Sequence, residues 1–312
     1  MGDTVSSASD YLFDLPPDRI ETLSDDARVD RVHTLIAESH RIIDEAIETY
    51  VTRYGKELTA TCVLYSGGND STVLAHMMTG RADCLAHINT GIGIPETEQF
   101  VEDTAKAWGI PLVVKTPPTS YRELVIERGF PGPAMHYKMY QRLKERGLIE
   151  VRREFVSNGR DQRVFFLAGR RRSESERRRF IAAHERRGSI VWASPLLPWT
   201  KWDLNTYRQM HEDTDRPVPT NPVSAKLHMS GECLCGAFAK PHELDEIDYW
   251  YPETAQVIRD LEAEVKAAGH PEPLCQWGWG SMHPIDPRQV RKSGMLCSGC
   301  DALFEVPDGD AS

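Results

Sequence analysis

The strongest constraint on the fold is a six-residue string, Ser66-Gly67-Gly68-Asn69-Asp70-Ser71, set between a short β-rich run and a helical pattern. The run before it, Ala60-Thr61-Cys62-Val63-Leu64-Tyr65, has the apolar, β-branched character of a buried strand. Helical spacing follows through Met78. Two glycines let the backbone turn tightly and come close to a ligand. The amide N–H groups of such a turn, with the hydroxyls of Ser66 and Ser71, can cradle phosphate oxygens. The positive N-terminal end of the following helix adds to this. The Lys-Ser/Thr pair of a P-loop is absent, so this is a different phosphate cradle. The competing reading is a glycine turn without chemical meaning; the full string between strand and helix argues against it.

Around this string the chain alternates. Val29, Val32, Ile36, Ile43 and Ile47 predict a helix between Arg28 and about Tyr54. A second strand reads Cys84-Leu85-Ala86-His87-Ile88-Asn89, and Pro95-Glu96-Thr97 opens a helix to Trp108. Leu112-Val113-Val114 is a third strand, residues 119–128 and 136–147 read as helices, Val164-Phe165-Phe166-Leu167 is a fourth strand and Ile190-Val191-Trp192 a fifth. This alternation predicts an α/β fold with a doubly wound, mostly parallel sheet. It stops near Pro217-Val218-Pro219-Thr220-Asn221-Pro222, beyond which lie most of the cysteines and a helix from Thr254 to Ala268. The expected organisation is an N-terminal arm (1–27), an α/β domain carrying the phosphate cradle (28–222), a small Cys-rich subdomain (223–305) and a tail (306–312).

Charge and cysteine usage narrow the function. The net charge is -10, yet Arg152 to Arg187 holds twelve arginines against five acids. An arginine island in an acidic chain suits a concentrated anion site rather than a uniformly nucleic-acid-coated surface. Its sharper alternative is a track for a nucleic-acid backbone, with steeply salt-dependent binding. For Arg177, Arg179, Arg186 and Arg187 the expectation is a solvated helix face. No apolar run approaches the roughly 20 residues of a membrane span, and Met1 to Asp10 is polar and acidic without a secretory pattern. A cytoplasmic protein without a membrane partner is expected.

Of seven cysteines, Cys62 and Cys84 sit in strand-like runs and are expected in the core. Cys233-x-Cys235, Cys275 and Cys297-x-x-Cys300 crowd the C-terminal third, which points to metal before disulfide. Four thiolates can hold one tetrahedral Zn2+ or one [4Fe-4S] cluster. The expected ligands are Cys233, Cys235, Cys297 and Cys300, with Cys275 as a substitute ligand, a persulfide carrier or neither. His76, His87 and His136 are expected to pack or hydrogen bond rather than catalyse. Trp277 and Trp279 fit either a base-stacking surface or the apolar anchors of a small domain.

The string Ser66–Ser71 matches the SGGxDS signature of PP-loop ATP pyrophosphatases. Three further stretches resemble the phosphoadenosine-phosphosulfate (PAPS) reductase-like branch of that family. They are Asn89-Thr90-Gly91-Ile92-Gly93-Ile94-Pro95-Glu96-Thr97, Gly169-Arg170-Arg171-Arg172-Ser173-Glu174-Ser175-Glu176-Arg177-Arg178, and Pro195-Leu196-Leu197-Pro198-Trp199. The resemblance covers about residues 55–240 and implies an adenine nucleotide alpha hydrolase-like fold. It implies that Ser66, Gly67, Gly68, Asn69, Asp70, Ser71, Asn89, Thr90, Gly91, Arg171, Glu174, Ser175 and Arg178 contact ATP, with Asp70, Ser71 and Arg171 in catalysis and Asp70 toward Mg2+. Arg171 and Arg178 suit phosphate because a guanidinium makes two charge-assisted hydrogen bonds at once. Asn89 stands where the branch often has Asp. The Glu-Cys-Gly-x-His motif of true PAPS reductases and the adjacent Cys-Cys pair of adenylyl-sulfate reductases are both absent.

The resemblance therefore implies ATP cleavage to AMP and pyrophosphate with adenylylation of an acceptor oxygen. Sulfur transfer would follow, fed by a cysteine desulfurase, and the relatives that fit best are DNA phosphorothioation proteins of the Dnd/Ssp type, whose acceptor is DNA. The same branch tends toward [4Fe-4S] over Zn2+. Two alternatives stay open. One is a PAPS or adenylyl-sulfate reductase or sulfate-activating enzyme on small molecules. The other is a nucleotide-sensing or DNA-binding module with a structural metal site.

Overall fold

The computed structural model describes residues 17–174, 178 and 180–282. Ser175, Arg177, Arg179, Cys297 and Cys300 lie outside the described residues. Six strands form one mostly parallel sheet of order β3-β2-β1-β4-β6-β5, built from β1 (Glu57–Leu64), β2 (Cys84–Ile88), β3 (Leu112–Lys115), β4 (Gln162–Leu167), β5 (His184–Arg187) and β6 (Ile190–Ala193). The chain divides into two compact units interleaved in sequence. The first comprises Met1–Leu64, Asn69–Cys84 and Val156–Pro219; the second comprises Tyr65–Gly68, Leu85–Phe155 and Thr220–Ser312.

In the first unit, β1 runs parallel to β4 and β4 to β6, while β5 pairs antiparallel with β6. The last five residues of both β1 and β4 are buried without alternation, as strands covered on both faces require. Cys62 within β1 and Cys84 at the start of β2 are both buried, as expected. Helix α1 (Asp25–Tyr50) starts where the Ser24 hydroxyl accepts the Ala27 N–H. It donates a buried ion pair from Arg31 to Asp203 at 2.8 Å, and the Asp203 carboxylate also caps helix α6 (Lys201–Met210) through the Thr200 N–H at 2.7 Å. Sharing the carboxylate between a guanidinium and a helix cap is what makes its burial tolerable. The Trp199 indole donates to Ser39 Oγ at 2.9 Å, so the Pro195–Trp199 segment is fastened onto α1. Helix α2 (Asn69–Met77) begins inside the glycine-rich string.

Arg186 and Arg187 depart from expectation: they lie on strand β5, not on a helix face. The residues His184-Glu185-Arg186-Arg187 have no apolar alternation to announce a strand, because β5 is the last strand of the sheet order and carries charge, which blunts a sheet edge.

In the second unit, β2 pairs in parallel with β3. The unit includes helices α3 (Pro95–Trp108), α4 (Tyr121–Arg128), α5 (Arg146–Phe155), α7 (Pro222–Leu227), α8 (Glu243–Trp250) and α9 (Pro252–Ala267). The helical run expected over 136–147 continues through α5 to Phe155. One apolar cluster joins Ile92, Leu124, Leu143, Val223, Leu234, Ile258 and Trp277, so residues from before and after Pro219 share a core. Trp277 donates its indole N–H to the Leu234 carbonyl and Trp279 to the Phe130 carbonyl, both at 2.8 Å. Both tryptophans act here as anchors.

Candidate functional site

Each unit carries part of the predicted site. In the first, Asp70 occupies the first turn of α2, where the helix end favours a carboxylate. Its Oδ2 accepts Arg171 Nε at 2.6 Å and its Oδ1 accepts Nη2 at 3.4 Å. Arg171 also donates Nη1 to Ser173 Oγ at 3.1 Å, and that hydroxyl donates to the Trp199 carbonyl at 2.9 Å. The guanidinium is thus fixed in plane, 101 residues from its carboxylate in sequence. Gly169 makes this approach possible. A Cβ there would stand 3.1 Å from the Asp70 carbonyl carbon and 3.2 Å from the Ser71 amide nitrogen.

Glu174 and Arg178 add a second ion pair beside the first. Burial pushes the Glu174 carboxyl above its ordinary range and the Asp70 charge adds to this, against the pull of Arg178 and Arg171. Asp70, Arg171, Glu174 and Arg178 therefore form one cluster of alternating charge, with both arginines buried. Ser71 is buried in the first turn of α2.

The second unit holds Ser66, Gly67 and Gly68. Gly67 has φ +71°, and a Cβ there would stand 3.1 Å from Val101 Cγ2 and 3.2 Å from Thr97 Cγ2, so only glycine suits both the backbone and the space. Ser66 Oγ accepts the Gly68 N–H at 3.3 Å. The Gly67 carbonyl accepts Asn221 Nδ2 at 3.0 Å. Asn89 closes a tight turn by accepting the Gly91 N–H at 2.8 Å, and Gly91 takes φ +72°. An Asp would offer the same acceptor, so Asn costs this turn nothing. Thr90, fully buried, donates Oγ1 to the Glu232 carbonyl at 3.1 Å.

That carbonyl leads into the cysteine turn. The Cys233 thiol is lowered to about 6, first by its hydrogen bond with Cys235, then by the Lys144 charge and Thr90, against burial and Glu232. Lys144 pairs with Glu232 at 2.8 Å, and the Tyr121 hydroxyl donates to the Cys235 carbonyl at 3.0 Å. Cys275 is buried in the apolar cluster. Among the described residues no three His, Cys, Asp or Glu side chains group as metal ligands. Cys233 and Cys235 nevertheless suit two positions of a thiolate set: their sulfurs adjoin and one is acidified.

The arginine island disperses. Arg163 donates to the carbonyls of Gly159 and Gln162, and Arg170 donates Nε to Ser194 Oγ at 2.9 Å. Arg186 bonds the Gly188 carbonyl and Arg187 bonds Glu185. Among the described residues, Arg171 and Arg178 are the members that meet the carboxylates of the predicted site. The histidines behave as expected. His76 bonds Tyr207 and the Arg216 carbonyl, His87 donates Nδ1 to the Tyr65 carbonyl, and His136 packs on Phe238. Asn221, Thr97, Ser230, Lys144 and Glu232 were not expected at the site. Only Asn221 carries a local signal: Asn-Pro opening a helix marks an N-cap.

A mostly parallel sheet whose first strand opens into this glycine turn and helix is that of a PP-loop nucleotide-binding protein. Residues 60–220 match the phosphoadenosine phosphosulfate reductase domain, and the chain belongs to that family. It is similar to an adenosine 5'-phosphosulfate reductase of Chelativorans sp. (strain BNC1), 25% identical over 229 residues that cover 72% of this chain and 88% of that one. Among solved structures, the phosphate complex of the PAPS reductase from Candida auris aligns with TM-score 0.42 and 19% identity, over 65% of this chain and 92% of that one. The U34-tRNA thiolase NcsA from Methanococcus maripaludis, with its [4Fe-4S] cluster, aligns with TM-score 0.31 and 14% identity over 75% and 80%. No helix among the described residues is long and apolar enough to cross a membrane.

Proposed function

We propose that this chain cleaves ATP to AMP and pyrophosphate while adenylylating an acceptor oxygen, in the cytoplasm. The observation that supports it most is Asp70 in the first turn of α2, directly after an intact two-glycine turn, with its carboxylate held by Arg171. The amides and hydroxyls of Ser66–Ser71 would hold the β- and γ-phosphates. The acceptor oxygen attacks the α-phosphorus, its new P–O bond forms as the α–β bridge breaks, and pyrophosphate leaves. Arg171 and Arg178 would take up the charge of the departing group. Asp70 would hold Mg2+, which supplies charge neutralisation of the phosphates. Catalysis here is mostly positioning and electrostatics.

Cys233 and Cys235, with Cys297 and Cys300, would hold a [4Fe-4S] cluster, or Zn2+ in the alternative. An iron cluster would supply a site for sulfur or electron handling. In the finer form of this reading, a cysteine desulfurase provides sulfur and a DNA phosphate oxygen is the acceptor. A second reading is action on adenosine 5'-phosphosulfate, supported by the similarity to the Chelativorans reductase. A nucleotide sensor is the third.

Pyrophosphate release separates them. The enzyme should release pyrophosphate from MgATP, and Asp70→Ala with Ser71→Ala should abolish it. Stimulation by DNA supports sulfur transfer to DNA, dependence on sulfate supports sulfate activation, and nucleotide binding without release supports a sensor. Unchanged nucleotide affinity and turnover in the double variant would remove the assignment.

A further inference from the structure

The Gly67–Gly68 peptide unit is the point on which the phosphate turn depends. In a trans peptide the carbonyl and the following N–H point in opposite directions from one plane. Whatever holds the Gly67 oxygen therefore also aims the Gly68 N–H. Two consecutive glycines offer little steric resistance to a flip of that plane. A flipped unit would present an oxygen, not an N–H, to an anion.

Asn221 holds the Gly67 carbonyl. It is buried at 2% exposure. Its Oδ1 accepts the Val223 N–H at 2.9 Å, which fixes which end of the amide is Nδ2. Nδ2 then donates to the Gly67 carbonyl at 3.0 Å, to Thr97 Oγ1 at 3.2 Å and to the Ser230 carbonyl at 3.3 Å. Thr97 Oγ1 in turn donates to the Ser230 carbonyl at 2.6 Å, leaving its lone pair to Asn221.

The same node carries the cysteine turn. Residues 230–234 run beside 90–94: the Gly231 carbonyl accepts the Ile94 N–H at 2.8 Å, the Glu232 carbonyl accepts Thr90 Oγ1, and the Leu234 N–H reaches the Ile92 carbonyl at 2.6 Å. Gly231 has φ +70°, and a Cβ there would lie 2.7 Å from Val223 Cγ1. Gly93 has no room either, with its Cβ position 2.7 Å from the Glu232 oxygen. This clasp has little slack, so a displacement at Ser230 moves Cys233.

We propose that Asn221 is a positioning residue that holds the Gly67–Gly68 peptide so that the Gly68 N–H, which Ser66 Oγ accepts at 3.3 Å in this structure, turns to the phosphates when a nucleotide binds, and that it links that peptide to the Cys233–Cys235 turn. The proposal rests on the nucleotide reading of the turn. Ligand occupancy at the turn and order in the cysteine loop are then coupled, and the coupling is reciprocal.

Asn221→Ser tests it. Serine still caps α7, because its hydroxyl can accept the Val223 N–H, but it cannot reach the three acceptors in place of the amide. Binding of inorganic pyrophosphate, ATP and AMP is measured by calorimetry on the full chain. Orphaning the Gly67 carbonyl should weaken pyrophosphate and ATP about tenfold or more, while AMP, which lacks the terminal phosphates, changes less than threefold. A merely structural defect would weaken all three alike. Equal losses, or unchanged pyrophosphate affinity in the folded variant, would overturn the assignment of Asn221. Hydrogen exchange on the unaltered chain needs no variant. Pyrophosphate should slow the amides of Gly68 and of residues 230–235, and AMP should not. Protection of Gly68 without any change over 230–235 would overturn the link to the cysteine turn. Failure of the unaltered chain to bind pyrophosphate or ATP at all would instead remove the nucleotide reading, and this proposal with it.

Discussion

Gly169→Ala isolates the close approach between the loop after β4 and the start of α2. No positive φ demands glycine at this position, so the methyl group acts only through space. It would meet the Asp70 carbonyl carbon at 3.1 Å and the Asp70 oxygen and Ser71 nitrogen at 3.2 Å. Comfortable carbon contacts are about 3.5–4.0 Å, so the backbone of α2's first turn must retreat by a few tenths of an ångström. Overpacking of this kind costs about 1–3 kcal/mol, and alanine returns about 0.4–1 kcal/mol by restricting the unfolded chain. The net loss of stability is therefore small, about 1–2 kcal/mol. The functional loss is larger, because a misplacement of about 1 Å costs roughly a hundredfold in rate. A shift of a few tenths should lower kcat for pyrophosphate release several-fold while Tm falls by only a few degrees. Steady-state pyrophosphate release and thermal unfolding on the same preparation read both. Unchanged kcat at unchanged Tm would refute the claim that Gly169 sets the position of Asp70 and Ser71.

Burial lowers the proton affinity of His76 below the ordinary 6.5, with only the Arg216 carbonyl opposing. The unfolded chain then takes up a proton that the folded chain refuses, so stability is full above about pH 6.5 and declines as pH falls below it. The slope from this group is at most about 1.4 kcal/mol per pH unit. Urea midpoints at pH 7.5 and 5.5 should separate in the unaltered chain and separate less in His76→Gln, where His40 keeps its own share; equal separation in both would exonerate His76. Trp277→Phe keeps an apolar ring but orphans the buried Leu234 carbonyl, and should cost about 1–3 kcal/mol in unfolding free energy. A variant of unchanged stability but weakened base binding would return Trp277 to a stacking role. Anaerobic purification should give a broad absorbance near ~400 nm with about four irons per chain, lost in Cys233→Ser with Cys235→Ser. One zinc and no colour would replace the cluster by a structural metal.

The glycine-rich turn after β1, the strands β1 to β4 and β6, and the core places of Cys62 and Cys84 were legible because each is written in consecutive residues. A strand buried on both faces has to be an apolar run, and a strand–turn–helix that wraps an anion has to be glycine-rich where it turns. Strand β5 was not legible, since an edge strand can be charged throughout and carry no period. The arginine island was legible as charge but not as function. Arg163 and Arg170 satisfy carbonyls and a hydroxyl inside the fold, a use that composition cannot distinguish from a site. Asn221 was hidden beside a proline cluster that marks a change of pattern, although its Asn-Pro signature predicts the helix cap it also makes.

By itself, the order of residues determined the local elements and the place of the two-glycine turn between β1 and α2, because backbone sterics and hydrophobic periodicity act over a few neighbouring positions. Only the tertiary structure decided which groups meet there. Arg171 reaches Asp70 across 101 residues, and Asn221 reaches Gly67 across 154. Such pairs are chosen by packing and by the need of each buried polar atom for a partner, and neither condition leaves a periodic trace in the chain.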